Sequence, residues 1–263
     1  MLADIWTKTL WDQRRSMLGW AIGFVAVSAI YGGFYPFAST PEYAELIDNL
    51  PAGLSEAFGW DEISSPHGYL GSTVYGILGP VLVIIMAIAF GAKAIAGNEE
   101  AGHLELLIAQ PVTRTRVVLQ RALALVIATA VGGIAVFVSI LAIRGPVELD
   151  LDVGNIAVTS LNLALLGAVF GTLALLVGGF VGRRGLVIGV SAVIAVAAYL
   201  ANGLAPQVDG LAWLQKVSPF YWFSGTATLR DGIDLPKTLL LAGVSMLFVA
   251  IGAVAFNRRD VGV

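Results

Sequence analysis

The 263-residue chain contains no cysteine and only two histidines, His67 and His103. Disulfides, thiol redox chemistry and Cys-ligated metals are therefore excluded, and a histidine-based hydrolytic triad or conventional zinc site lacks its parts. His67 falls in a Ser-Ser-Pro-His-Gly turn with no second ligand at metal-binding spacing, so it reads as structural. Charge is scarce as well: 13% of residues are charged, against about 25% in a typical soluble domain. A net charge of −3 gives no support to nucleic-acid binding. The lysines follow Thr7, Ala92, Gln215 and Pro236, so there is no Gly-Lys-Ser/Thr phosphate loop and no means of binding ATP that way.

What the chain has instead is apolar length. It is 57% hydrophobic, with a mean hydropathy of +0.84, which marks an integral membrane protein. The charge-free runs Ser16–Pro41, Gly68–Ala92, Ala122–Ile143, Val153–Gly182, Gly185–Val208 and Thr238–Asn257 delimit six spans. Each reaches the roughly 20 residues that cross a bilayer as helix. The expected fold is all-α, one membrane domain over residues 1–263, with both termini on one side. The first run exceeds a signal-peptide core and lacks a small-residue cleavage site, so it counts as a span. No ionisable residue lies deep in these runs, which weighs against a proton-coupled antiporter, an ion pump or a voltage sensor. With the termini cytoplasmic, 11 basic residues fall inside and only Arg144, Lys216, Arg230 and Lys237, 4 in all, fall outside. The positive-inside rule selects that orientation.

Between spans two and three lies the one long charged island, GNEEAGHLELLIAQPVTRTRVVLQR, residues 97–121. Glu99, Glu100 and Glu105 near its start suit a helix N-terminus, and Pro111 disfavours helix at Gln110. Leu104, Leu107 and Ile108 share a face at i, i+3, i+4 spacing. The expectation is an amphipathic helix on the cytoplasmic side. Two readings fit it: a docking surface for a soluble partner, or a loop whose apolar face rests in lipid headgroups.

Residues 1–15 read as an interfacial helix, with Leu2, Ile5, Trp6, Leu10 and Trp11 for the apolar boundary and Lys8, Arg14 and Arg15 for headgroups. The alternative is the start of a long first helix. In span two, Pro80 preceded by Gly76 and Gly79 predicts a kink or local unwinding. Small-residue pairs at four-residue spacing (Gly19/Gly23, Gly167/Gly171, Gly185/Gly189) predict close helix packing, within the chain or across a dimer. Arg183-Arg184 leave almost no loop, so spans four and five form a tight hairpin. The outer segment 209–236 is aromatic-rich around AWLQKVSPFYWFSG. It reads either as an interfacial aromatic belt or as two short half-helices turning back at Ser218-Pro219.

The run GNEEAGHLELLIAQPVTRTRVVLQRALA resembles the hallmark of ABC-2-type transporter permeases. The likeness extends to TLWDQRRSMLGW near the N-terminus, SPFYWFSG before span six and the closing FNRRDVGV. Asn98 occupies a place often acidic in the family, and His103 one often threonine. The resemblance implies a six-span half-transporter with no catalytic residues of its own, no metal and no cofactor, in the cell membrane, as in a prokaryotic inner membrane. It implies a partner ABC ATP-binding subunit in two copies, which carries ATP and Mg, and a second permease chain as a homodimer. The segment 97–112 would be the coupling helix, with Asn98, Glu99, Glu100, Gly102, His103, Leu104, Glu105, Leu107, Ile108, Pro111 and Arg114 at the ATPase. Glu99, Glu100 and Glu105 would pair with basic ATPase residues or stabilise the helix start, and Arg114 and Arg116 would hold phosphates or the next helix's start. Trp6, Trp11, Arg14 and Arg15 would belong to the interfacial connecting helix, which also meets membrane lipid. Ser218, Pro219, Phe220 and Trp222 would mark the outer re-entrant pair. The implied function is ATP-driven export of a hydrophobic or amphipathic substrate, drug or lipid-like. The alternatives are a permease for sodium extrusion or copper-enzyme maturation and, outside the family, an ATPase-independent scaffold or channel.

Overall fold

Every element of the computed structural model is helical among the residues it describes, which are 4–49, 62–102 and 112–259. Six helical segments are long and apolar enough to cross a membrane: Ile5–Ala38, Pro66–Glu100, Arg114–Arg144, Val153–Phe180, Arg184–Gln207 and Leu235–Arg258. They correspond one to one with the charge-free runs. Spans one, two, three and six begin before their runs because helix continues through polar residues that hydropathy alone assigns to loops.

Span four is the centre. Its sequence is apolar on all sides, as befits a helix enclosed by others, and it packs against spans two, three and six. Small residues permit this closeness. A Cβ on Gly133 would stand 2.6 Å from the Ser160 carbonyl oxygen, and one on Gly179 would stand 2.9 Å from that of Gly252. One on Gly171 would meet Leu125 and Ala87, and one on Gly91 would run into the Gly171 carbonyl. The Gly167/Gly171 pair thus serves packing inside the chain. By contrast, nothing lies within 4 Å of a Cβ built on Gly19, Gly23, Gly185 or Gly189.

The first helix runs unbroken from Ile5 to Gly33, 29 residues, or about 43 Å at the usual helical rise. The separate interfacial helix expected over residues 1–15 is therefore not formed within the described part. Residues 5–15 are the first turns of span one itself, since no glycine, proline or capping side chain interrupts the helix before Gly19. It packs along span three, with Phe24 against Gly132, the Val25 carbonyl accepting from Ser139 Oγ at 3.1 Å and Gly32 under Ile143, and it leaves most of its surface exposed.

Span two carries two wide π-turns, Val74–Leu78 and Lys93–Gly97. The first realises the unwinding expected at Pro80: in a regular helix the proline ring would collide with the carbonyl of Gly76, and the wider turn makes room. A Cβ at Gly76 or Gly79 would lie 2.7 or 2.6 Å from the carbonyl oxygen five residues back, so both glycines are needed for it. His67, expected in a turn, sits in the first turn of helix Pro66–Ser72, where Ser65 Oγ accepts the Gly68 N–H at 3.1 Å. Its Nε2 lies 2.9 Å from Glu62 Oε2, whose other oxygen accepts from Arg230 at 3.2 Å. Spans four and five are joined by residues 181–183 alone, the tight hairpin expected from the arginine pair.

Candidate functional site: the polar junction at the terminal end

Hydrogen bonds bring both ends of the chain together at one end of the bundle. The Ile5 N–H donates to Gln120 Oε1 of span three at 2.7 Å, and Arg116 Nη2 lies 3.6 Å from Asp4 Oδ1. Asn257 Nδ2 of span six donates to Thr115 Oγ1 at 2.7 Å. Thr113 caps span three through the Arg116 N–H. Arg114 reaches across to the end of span six, donating to the Phe256 and Arg259 carbonyls and lying over the Phe256 ring. A guanidinium on unsatisfied C-terminal carbonyls complements the helix dipole. Arg114 therefore ties the start of span three to the end of span six.

The end of span two enters the same cluster. Its second π-turn is pinned twice: Arg121 Nη1 donates to the Ala94 carbonyl and Asn98 Nδ2 to that of Lys93. Residues Asn98–Glu100 then complete the helix, and Gly102, at φ +68°, turns the chain out of it in a conformation that glycine adopts without strain. This corrects the expected coupling-helix boundary. Asn98, Glu99 and Glu100 form the last turn of span two and do not begin a new helix. The acids therefore face the negative end of a helix dipole and need partners elsewhere. His103, Leu104, Glu105, Leu107, Ile108 and Pro111 lie outside the described residues.

Both acids find such partners. Glu99 Oε1 pairs with Arg259 Nη2 beyond span six, beside Gly182 of the four–five hairpin. Glu100 Oε1 accepts the Arg184 backbone N–H at 2.9 Å, at the start of span five. Arg121 is the residue that sequence reasoning missed. Counted as a loop charge, it is buried in the span-three helix with 6% of its surface exposed. The signal available was its place one residue before the third apolar run, where helix continuity carries it inward.

At the opposite end the chain bends at Ser218, whose Oγ donates to the Ala198 carbonyl at 2.8 Å and accepts from Phe220 N–H. Short helices Trp213–Val217 and Pro219–Phe223 flank this bend, and Trp222 Nε1 closes it onto the Lys216 carbonyl at 2.8 Å. Phe220 and Phe223 are buried, Phe220 against Phe170 and Tyr199. A third short helix, Gly225–Asp231, follows a left-handed Ser224 and was not foreseen, because its composition carries no strong helical pattern. The Arg230 guanidinium holds the Asp231 carboxyl below its ordinary range, and the Lys237 backbone N–H does the same for Asp234. A cavity of about 740 Å³ lies between these helices, the first π-turn and span five, with Tyr75, Tyr199, Asn202, Gln215 and Phe220 among its walls. Trp6 is half-buried, whereas Trp11, Arg14 and Arg15 are exposed, Arg14 stacking on Trp11 at 4.1 Å.

A family model described as ABC-2 family transporter protein matches residues 4–261. The chain belongs to the ABC-2 family. No curated protein matches it. As an ABC-2 permease it is a multi-pass component of membrane transport, in the plasma membrane, and it works with an ABC ATP-binding subunit.

Proposed function

We propose that this permease, paired with a second copy of itself, forms the path for ATP-driven export of a hydrophobic or amphipathic substrate. Its terminal end faces the cytoplasm, where residues 103–111 dock on the ATP-binding subunit; Mg and ATP are held by that subunit, one per permease chain. The observation that carries the reading is the junction just described. The ends of spans two, three and six and the start of span five are bonded to one another through the residues that precede and follow segment 103–111 in the chain. A displacement of that segment therefore acts on four helices at once.

The apolar outer faces of spans one and five support a homodimer, for which the unfilled Gly19/Gly23 and Gly185/Gly189 surfaces are suited. The walls of spans two and five are apolar and small, with a few hydroxyls and amides near the far end, which favours an amphipathic cargo over an ion. The bend at Ser218-Pro219 acts as the outer re-entrant pair above this path.

The test is co-purification of the chain with its ATP-binding subunit from a common membrane. The double substitution Glu105→Arg, Leu107→Asp reverses charge and removes apolar surface on the docking segment. It is expected to abolish association while leaving the permease folded by its thermal transition. Unchanged association, with unchanged ATPase activity, defeats the docking assignment.

A further inference from the structure

We infer that Glu99 and Glu100 are positioning residues that divide a displacement of the segment after span two between two different helices, Glu99 driving span six and Glu100 driving span five. The inference rests on the docking of residues 103–111 proposed above, and it gives these two acids roles other than contact with the ATPase.

The geometry separates them although they are neighbours. Glu100 Oε1 accepts the backbone N–H of Arg184, the first residue of the span-five helix. That helix has no capping side chain of its own, since its N-cap position is Arg183. A carboxylate there satisfies an orphan amide and lies at the positive end of the dipole. The cap is thus supplied by another span, and it ties the end of span two to the start of span five. Span five has few other holds: Val187, Ser191 and Ala195 are its only buried side chains among the described residues. A polar tether at its end therefore governs where that end goes.

Glu99 passes beside Gly182 of the four–five hairpin and reaches the end of span six. Its carboxylate pairs with Arg259, whose own carbonyl accepts from Arg114 of span three. Gly182 permits the pair, because a Cβ there would stand 2.6 Å from Glu99 Oε1. Glu99 Oε2 and Arg259 Nη1 are buried with no hydrogen-bond partner among the described residues. Deleting one side chain would therefore leave the other's charge in poor surroundings. Arg121 holds the π-turn just before both acids, so that turn moves with span three while the acids move spans five and six.

The absence of cysteine makes the test direct. Spin-label pairs are placed in the full chain in lipid nanodiscs at exposed positions, Ala101→Cys with Leu186→Cys for span five, and Ala101→Cys with Val254→Cys for span six. The inference expects Glu100→Ala to lose the narrow distance peak of the first pair and keep that of the second. It expects Glu99→Ala to do the reverse, and Glu100→Gln, which retains an acceptor oxygen, to restore the first peak. Broadening of both pairs in either variant, or of neither, overturns it. Co-purification with the ATP-binding subunit is expected to persist in Glu100→Ala; its loss would make Glu100 a docking contact and also overturn the inference. Failure of the docking reading is read separately, in the Glu105→Arg, Leu107→Asp variant.

Discussion

Spans four and five are joined by three residues, are similarly apolar and hold opposite positions. Of the most apolar stretch of each, 78% is buried in span four and 17% in span five. Span four also carries the polar links of the interior: Ser160 Oγ to the Tyr75 hydroxyl at 2.8 Å, Asn162 to Thr238 at 3.0 Å, and Asn155 to the Leu229 carbonyl at 3.0 Å. It is capped by its own Asp152, which accepts from the Asn155 N–H. Span five borrows its cap from span two and leaves its polar Ser191 Oγ buried without a partner among the described residues. The lesson is that hydropathy marks both as spans and distinguishes neither. One is built to stay and the other is held mainly at its ends.

The largest test of this contrast exchanges small for branched residues on the two helices' surroundings. Gly91→Val drives a side chain into the Gly171 carbonyl of span four, and overpacking against a backbone that cannot yield costs about 3 kcal/mol or more. The permease is expected to lose its cooperative thermal transition in detergent. Gly189→Val on span five meets nothing, so the transition should stay within about 0.5 kcal/mol. If the second copy seats on that face, the dimer fraction by native mass spectrometry falls while the monomer stays folded. Equal loss of fold in both variants would erase the distinction.

A smaller effect sharpens the role of span four's polar links. Thr238→Val removes the hydroxyl donor to Asn162 while keeping the shape, and such interhelical bonds average about 0.6 kcal/mol with a ceiling of about 1.7. Reversible unfolding in mixed micelles should read a loss in that range. No change would mean that Asn162 finds another partner.

The smallest expected effect concerns span six, which, like span four, begins at its own aspartate cap. Asp234 accepts the Lys237 N–H at 3.2 Å, and its carboxyl lies below the ordinary 3.8. A depressed folded-state value means that the cap's contribution is present above 3.8 and fades as pH falls below it. Thermal transitions of the native chain and Asp234→Asn should differ at neutral pH and converge under acid conditions. A gap that persists at low pH would assign the difference to packing.

Six spans, their approximate edges, the four–five hairpin and the unwinding near Pro80 could all be read from residue order. They depend on local properties: the length of an apolar run, the shape of proline, the absence of a linker. The roles of Glu99, Glu100 and Arg114 could not. The acids read as the start of an amphipathic helix, yet they end span two; Arg114, expected to hold phosphates or the start of the next helix, begins span three and reaches across to the end of span six. Arg121 misled for a related reason, because a charge beside an apolar run signals a boundary only when the helix stops there. Trp6 and Trp11 suggested a separate surface helix, but nothing in Asp12–Leu18 breaks the helix they begin.

By itself, the sequence determined that this chain spans a membrane six times, carries no phosphate loop and bears the signature of an ABC-2 permease. These follow from composition and from residues adjacent in the chain. Only the tertiary structure decided which helix is enclosed, which glycines touch a neighbour, and that the acids closing span two reach spans five and six. Those facts depend on partners 84 and 160 positions away, and no periodicity along one helix specifies which distant backbone amide or guanidinium will complete its charge.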